Sequence, residues 1–247
     1  ENGARVITYG YNNLDQITSV KYPDTSGSGE IKFDYDAWGN RKSLNSQLGV
    51  TNYTYAADSD KLQNYKINNR LQVNLQYNNN GSLTQEVYQR VGKNIRAVDY
   101  SWDSQNRLQQ ITYQSTDRPA FMPALQSNVM QFVYDDAGNR VKKTVNGKST
   151  YYLNNGLRVL DEIDKAGAVD KTIVYGLEQV AEIKKDGTIQ FVHSDVLGSA
   201  VLITDQAGAV KQEYEYDVFG SIIGKNGLSE TNFLFTNQEY DSESELY

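Results

Sequence analysis

The sequence predicts an all-β fold: antiparallel β-hairpins forming one continuous, strongly curved sheet. Three observations carry this expectation. A short motif appears as Tyr35-Asp36-Ala37-Trp38-Gly39-Asn40-Arg41 and again as Tyr134-Asp135-Asp136-Ala137-Gly138-Asn139-Arg140. Degenerate copies of it recur along most of the chain. Composition agrees: of 247 residues 19 are Tyr and only 3 are Pro, and no segment sustains a helical period.

Each part of the motif has a hairpin role. The aromatic ends the incoming strand. The Asp side chain accepts a hydrogen bond from the backbone N–H two residues on, which starts the turn. The Gly supplies the positive φ that closes a short loop with a bulge. Gly39, Gly81 and Gly138 are therefore expected at hairpin loops with φ > 0.

In chain order, Tyr11 opens a first copy in which Asn12 replaces the Asp and Asp15 the Gly. Tyr35 opens the second copy, Tyr55 the third, Tyr77-Asn78-Asn79-Asn80-Gly81 the fourth, Trp102-Asp103 the fifth and Tyr134 the sixth. Spacings of 20 to 32 residues each fit a hairpin and its connection. The longest spacing holds an insertion, Asp117-Arg118-Pro119-Ala120-Phe121-Met122-Pro123. Several anchors carry a second aromatic two residues earlier, such as Phe33 and Phe132, on the same strand face. A continuous ladder of stacked rings, supporting a sheet without a conventional core, is the expectation.

From Tyr151 the pattern changes but stays β, so the chain divides into a hairpin array, 1–150, and a continuous β region, 151–247. Asn146-Gly147, Lys165-Ala166-Gly167, Lys185-Asp186-Gly187 and Gln206-Ala207-Gly208 read as turns between short apolar strands. Tyr216-Asp217-Val218-Phe219-Gly220 is a last variant of the repeat.

Composition excludes some functions. A net charge of −7 argues against a nucleic-acid partner. The absence of Cys excludes disulfides and thiolate metal sites. No apolar run approaches the ~20 residues of a membrane span. The opening Glu1-Asn2-Gly3, without Met or a signal-like stretch, reads as a piece of a longer polypeptide.

These repeats resemble the YD repeats of the Rhs family of bacterial toxins, shared with insecticidal toxin-complex C components and with teneurins. The stretch from Tyr11 to Asp24 is similar to the family's YDxLxRLTSVxYPD unit. His193-Ser194-Asp195-Val196-Leu197-Gly198-Ser199 matches H-x-D-x-L-G-S, and Tyr216 to Gly220 matches YDxFG. Phe235-Thr236-Asn237-Gln238-Glu239-Tyr240-Asp241 resembles FTGQExD, with Asn237 for Gly, and Glu243 to Tyr247 departs from ETGLYY at two positions. The resemblance implies that the hairpins wind into a spiral forming part of a hollow shell, a non-enzymatic shell segment of a secreted or cell-surface bacterial toxin. Its expected partners are the upstream shell of the same polypeptide or a companion chain, a C-terminal toxin segment, and secretion-spike and immunity proteins. The resemblance places the Asp-dependent self-cleavage motif beyond Tyr247.

The residues themselves offer little catalytic chemistry, and no cofactor, metal or catalytic residue is expected. The repeat carboxylates Asp36, Asp103, Asp135 and Asp217 read as turn residues. His193, the only His, and Asp195 are too few for a catalytic zinc and read as a structural pair at a hairpin. Gly147-Lys148-Ser149 is better explained by a hairpin than by a phosphate loop, since Lys142 stands where the loop needs its first Gly. Asp241-Ser242-Glu243-Ser244-Glu245 reads as an acidic turn or tail. Asn52-Tyr53-Thr54 and Asn80-Gly81-Ser82 are sequons, relevant only in a eukaryotic secretory context. The alternative function is a cell-surface carbohydrate-binding or adhesion module built on the aromatic repeats. The terminal stretches Arg5 to Tyr11 and Asn232 to Tyr247 are expected as unpaired strand edges open to docking.

Overall fold

The computed structural model describes residues 6–23, 29–115 and 129–247. Arg5, the loop after Pro23 and the insertion from Asp117 to Pro123 lie outside the described residues. The rest is all-β, in antiparallel hairpins. The first strands are β1 (Thr8–Tyr11), β2 (Ile17–Lys21), β3 (Glu30–Tyr35), β4 (Arg41–Ser46) and β5 (Gly49–Tyr55). They are followed by β6 (Leu62–Ile67), β7 (Leu71–Tyr77), β8 (Leu83–Arg90), β9 (Lys93–Trp102) and β10 (Leu108–Ser115). Then come β11 (Val129–Tyr134), β12 (Arg140–Val145), β13 (Lys148–Asn155), β14 (Arg158–Ile163) and β15 (Val169–Tyr175). The last are β16 (Gln179–Lys184), β17 (Ile189–Ser194), β18 (Ala200–Asp205), β19 (Val210–Tyr216) and β20 (Ile222–Gly227).

The chain divides into two compact units, residues 1–102 with 112–123 and residues 103–111 with 124–247. In the first, β1 to β9 pair in sequence order as an antiparallel meander. In the second, β11 to β20 do the same.

The repeat motif folds as its chemistry requires. At Asp36, one carboxylate oxygen accepts the N–H groups of Trp38 and Asn40, both at 2.9 Å. The backbone N–H of Asp36 donates to Asn40, and that of Gly39 returns to Asp36. The loop turns at Gly39 with φ 89°. Gly81 (φ 85°) and Gly138 (φ 89°) behave alike, as expected. The same loop forms on Asn12, Asn78, Asp103, Asp135, Asp164, Asp195, Asp205 and Asp217. Where Gly is missing, Asp15 (φ 58°) and Asn106 (φ 64°) take its place, since short polar side chains tolerate the left-handed region. The third copy departs: Ala56 stands at the Asp position and the loop runs one residue longer, to Lys61.

The anchor aromatic has a role that its spacing does not show. A register shift at each anchor makes the ladder to the following strand begin two residues late. In β4, Arg41 faces Tyr35 of β3, whereas pairing with β5 begins only at Ser43. The carbonyl of Arg41 thus has no ladder partner, and buried carbonyls need a donor. The hydroxyl of Tyr55 supplies it at 3.0 Å. Likewise Tyr35 donates to Ile17 (2.7 Å), Tyr77 to Leu62 (2.8 Å) and the Trp102 indole N–H to Leu83 (2.7 Å). In the second unit Tyr134 donates to Leu108 (2.8 Å), Tyr216 to Ala200 (2.7 Å) and the Asn154 amide to Arg140 (3.0 Å). Each repeat is therefore pinned to the loop end of the one before it.

Two expectations are corrected. Among the described residues the ladder is not of rings alone, because the Arg that closes three of the loops lies over neighbouring rings. Arg41 lies over Tyr53 (4.6 Å), Arg107 over Tyr134 (5.1 Å), and Arg140 over both Phe132 (5.4 Å) and Tyr152 (5.2 Å). A guanidinium over a ring gains about 0.5–1 kcal/mol at exposed sites. Nor is the second unit without a core. Tyr152, Val159, Ile173 and Phe233 form one buried cluster, and Val192, Ala200, Ile203, Tyr214 and Leu234 another.

Candidate functional site

Both buried clusters contain a residue from the segment after β20, and this segment defines the candidate site. Residues 228–247 form no strand of the meander. They lie as a strap on one face of the second unit, tied by isolated bridges Phe233 to Glu239 and Asp241 to Leu246. The expectation of an unpaired strand edge from Asn232 to Tyr247 is thus corrected. Phe233 and Leu234 enter the two apolar clusters, so the chain there needs a covered surface rather than a free edge.

Strand alternation builds the receiving face. Glu162 of β14 pairs with Lys171 of β15, Ile173 of β15 with Glu182 of β16, and Glu182 with Gln190 of β17. Cross-strand partners share a face, so a polar row runs through the apolar one. Glu182 is fully buried, and its carboxylate accepts the Thr231 hydroxyl (2.6 Å), the Gln179 amide (2.9 Å) and the Gln190 amide (2.7 Å). Gln190 also donates to the Glu230 carbonyl (2.9 Å), and Asn232 donates to Glu162 (3.0 Å). Three consecutive strap residues, Glu230, Thr231 and Asn232, are thereby gripped by β17, β16 and β14. Lys171 sits 2.8 Å from Glu162 and 3.8 Å from Glu182, supplying the charge that a buried carboxylate needs.

The far end of the strap is held by ion pairs. Arg140 makes a bidentate contact to Asp241, with Nη1 at 2.5 Å and Nη2 at 3.2 Å, and reaches Glu239 at 2.5 Å. Lys143 bridges Asp241 (2.8 Å) and Glu243 (3.2 Å). The acidic stretch from Asp241 to Glu245 does turn, but Asp241 is buried rather than a solvated tail. Burial alone would lower the Arg140 pKa, but Glu239 and Asp241 outweigh it and hold the guanidinium charged. Burial raises Glu239; Arg140 opposes that and the neighbouring Asp241 reinforces it. Burial likewise pushes the Tyr152 phenol well up.

The sequence-predicted motif residues separate into two groups. Tyr35, Asp36, Gly39, Arg41, Trp102, Asp103, Tyr134, Asp135 and Gly138 build hairpin loops and their pins, and only Arg140 of that series reaches the strap. The later motifs converge on it. Thr236 N–H donates to the Ser199 hydroxyl (3.1 Å), and Ala200 N–H donates to the Leu234 carbonyl (3.1 Å), both beside the Asp195–Gly198 loop. The Phe235 ring sits where a Cβ on Gly220 would lie, at 2.7 Å, and the Tyr247 hydroxyl donates to the Gly220 carbonyl (2.9 Å). Asn237 adopts φ 56°, the conformation that a Gly would supply. His193 is exposed and meets the Thr204 hydroxyl at 3.0 Å, while Asp195 is occupied by its loop. Sequence reasoning missed Gln179, Glu182, Gln190 and Lys171. Charged residues interleaved with apolar ones along β14, β15 and β16 were the signal available.

Among the described residues no helix is long and apolar enough to cross a membrane. No family model matches the chain. It is 28% identical over 244 residues to the tRNA3(Ser)-specific nuclease WapA of Bacillus spizizenii and, to the same extent, to the tRNA nuclease WapA of Bacillus subtilis strain 168. Those matches cover 96% of this chain, which spans 9% of the length of either relative. Among solved structures, it is similar to a part of TcdB2-TccC3-Cdc42 (13% identity, TM-score 0.45) and of the Photorhabdus luminescens Tc holotoxin pore (13%, TM-score 0.43). Each of these alignments covers 96% of this chain and 16% of the other.

Proposed function

We propose that the chain is a wall segment of an encapsulating shell in a secreted, Rhs-type bacterial toxin, without enzymatic activity of its own, sequestering a toxin segment encoded elsewhere in the same polypeptide. The carrying observation is the repeat-to-repeat pin, in which an aromatic donor satisfies the carbonyl left open by the preceding loop. Such a device adds length to a sheet without a chain-spanning core, which is what a wall requires. Similarity over nearly the whole chain to a small stretch of much longer nucleases supports the same reading. In it the array to residue 150 is plain wall, and the region from 151 carries the strap that covers one face of the sheet. A carbohydrate-binding role for the anchor aromatics is less well supported, because their polar atoms are committed to carbonyls and several rings to guanidinium groups.

The test uses the full-length parent toxin. Limited proteolysis should spare the toxin segment in the intact protein. Replacing Tyr35, Tyr55, Tyr77 and Tyr134 together by Phe should expose it while the isolated toxin segment stays active. A toxin segment cut equally fast in both proteins would sink the wall reading.

A further inference from the structure

Where the strap meets β14 and β15, an amine and a carboxamide converge on one carboxylate oxygen. Glu162 Oε1 lies 2.8 Å from Lys171 Nζ and accepts the Asn232 side-chain amide at 3.0 Å. We propose that this triad forms an intramolecular isopeptide bond between Lys171 and Asn232, with Glu162 as its acid–base catalyst, tying the strap covalently to β15.

The fold holds the three groups in place. Glu162 and Lys171 are cross-strand partners, so their side chains share a face. Asn232 is fixed over them by its chain neighbours: Thr231 bonds to Glu182, and Phe233 is buried with Tyr152 and Ile173. The Lys171 and Glu162 side chains keep only 12% and 13% of their surface exposed. Holding reactants together in this way replaces a bimolecular encounter and removes much of the barrier. The product is a neutral amide, so the reaction also removes a cation that is costly to keep desolvated.

The step balances without a further reagent. The Lys171 ammonium passes a proton to Glu162, and the freed amine adds to the Asn232 carbonyl carbon. Glu162 hands that proton to Nδ2 and takes up a second one from Nζ. The Cγ–Nδ2 bond breaks and the Nζ–Cγ amide remains. The departing ammonia carries the last proton away as ammonium, which restores the Glu162 carboxylate. A cavity of ≈ 200 Å³ lined by both Glu162 and Asn232 gives the ammonia a way out. The reaction happens once per chain and is not turnover. Lys171 also lies 3.8 Å from Glu182, which accepts the Gln179 and Gln190 amides, so these are the competing carboxamides. Asn232 is favoured because it shares the oxygen nearest to Nζ.

Peptide mapping by tandem mass spectrometry on the denatured full-length parent toxin would test this. Trypsin should skip Lys171, and the peptides holding Lys171 and Asn232 should appear joined, lighter by one ammonia than their sum, in most molecules. Glu162→Ala leaves no group to carry the proton and should slow the joining by about a hundredfold or more, read as the joined fraction against time after folding. Lys171→Arg keeps the positive charge and should abolish the link while amide exchange across residues 228–247 quickens. The parent's own map decides the question whether or not a variant folds. Separate Lys171 and Asn232 peptides from the folded parent, a link made to Gln179 or Gln190 instead, or joining at the parental rate in Glu162→Ala would each overturn the proposal.

Discussion

The two units solve the same problem in different ways. In the first, β1 to β9 are held by interactions of short sequence range: Tyr55 reaches Arg41, Tyr77 reaches Leu62, and Trp102 reaches Leu83. The opposite face of this meander carries a relay of amides, with Gln72 donating to Asn74, Asn74 to Gln89 and Gln89 to Asn94. In the second unit, the strap makes contacts across about a hundred residues of sequence, Arg140 to Asp241 and Lys143 to Glu243. The lesson is that local pins extend a sheet, whereas a strap that covers a sheet face is held by distant residues and buried charge.

That contrast breaks most sharply at Arg140. Arg140→Ala leaves Glu239 and Asp241 partly buried without their main counter-ion, and removing one partner of such a pair costs about 3–5 kcal/mol. The strap should lose protection from amide exchange along with the second unit, while the strands of the first unit keep theirs. Equal loss in both units would show that the strap stabilises the chain as a whole.

Gly138→Val tests the loops. A β-branched residue at φ 89° costs about 1–3 kcal/mol, and a Cβ there meets no atom within 4 Å, so the cost is purely conformational. Gly138→Asn should cost much less, because Asn106 already holds φ 64° in the neighbouring loop. Urea midpoints of the two variants would check the ranking, and equal midpoints would contradict it.

The pins should matter less singly. Tyr77→Phe removes only the donor to the Leu62 carbonyl, which part-exposure lets water replace, so about 1 kcal/mol is expected. Thermal unfolding of single and paired variants would measure it. Tyr35→Phe combined with Tyr77→Phe should add, as the two pins share no partner.

Much of this architecture was legible in the sequence, and the illegible part has a physical reason. Loop chemistry is local, so Asp36, Gly39 and Gly138 announced their conformations. The loops at Asp164 and Asp205 were seen only as turns, because Ile163 and Thr204 precede them instead of an aromatic. The pins were hidden because nothing in a Tyr shows which carbonyl a register shift has left open. The strap was misplaced because Asp241 looks like a surface acid until Arg140, 101 residues away, is folded against it.

The smallest expected effect separates the units by acid. The loop position that accepts two N–H groups is held by Asn12, Asp36, Ala56 and Asn78 in the first unit, so only one of the four titrates. In the second, Asp103, Asp135, Asp164, Asp195, Asp205 and Asp217 hold it, and Asp103, Asp135, Asp164 and Asp205 have lowered pKa values. Asp164 falls from 3.8 to about 2, first through its bond to Lys185 and then through the Ala168 N–H. A carboxyl whose folded pKa is depressed adds stability that is complete above its unfolded value and is lost as pH falls through the folded one. The window therefore opens near pH 4 and runs down to about 2. Glu239 opposes the trend, since its raised pKa makes protonation favour the folded strap. Each of these loop carboxylates keeps part of its surface in solvent, so the individual effects are small, and the signal lies in their number. Between pH 5 and pH 2.5, amide-exchange protection should fall in β11–β20 before it falls in β1–β9. Asp164→Asn, which keeps the acceptor and removes the titration, should narrow that gap. If the first unit loosens first, the loops do not set the acid response, and the Arg140 cluster would have to carry it instead.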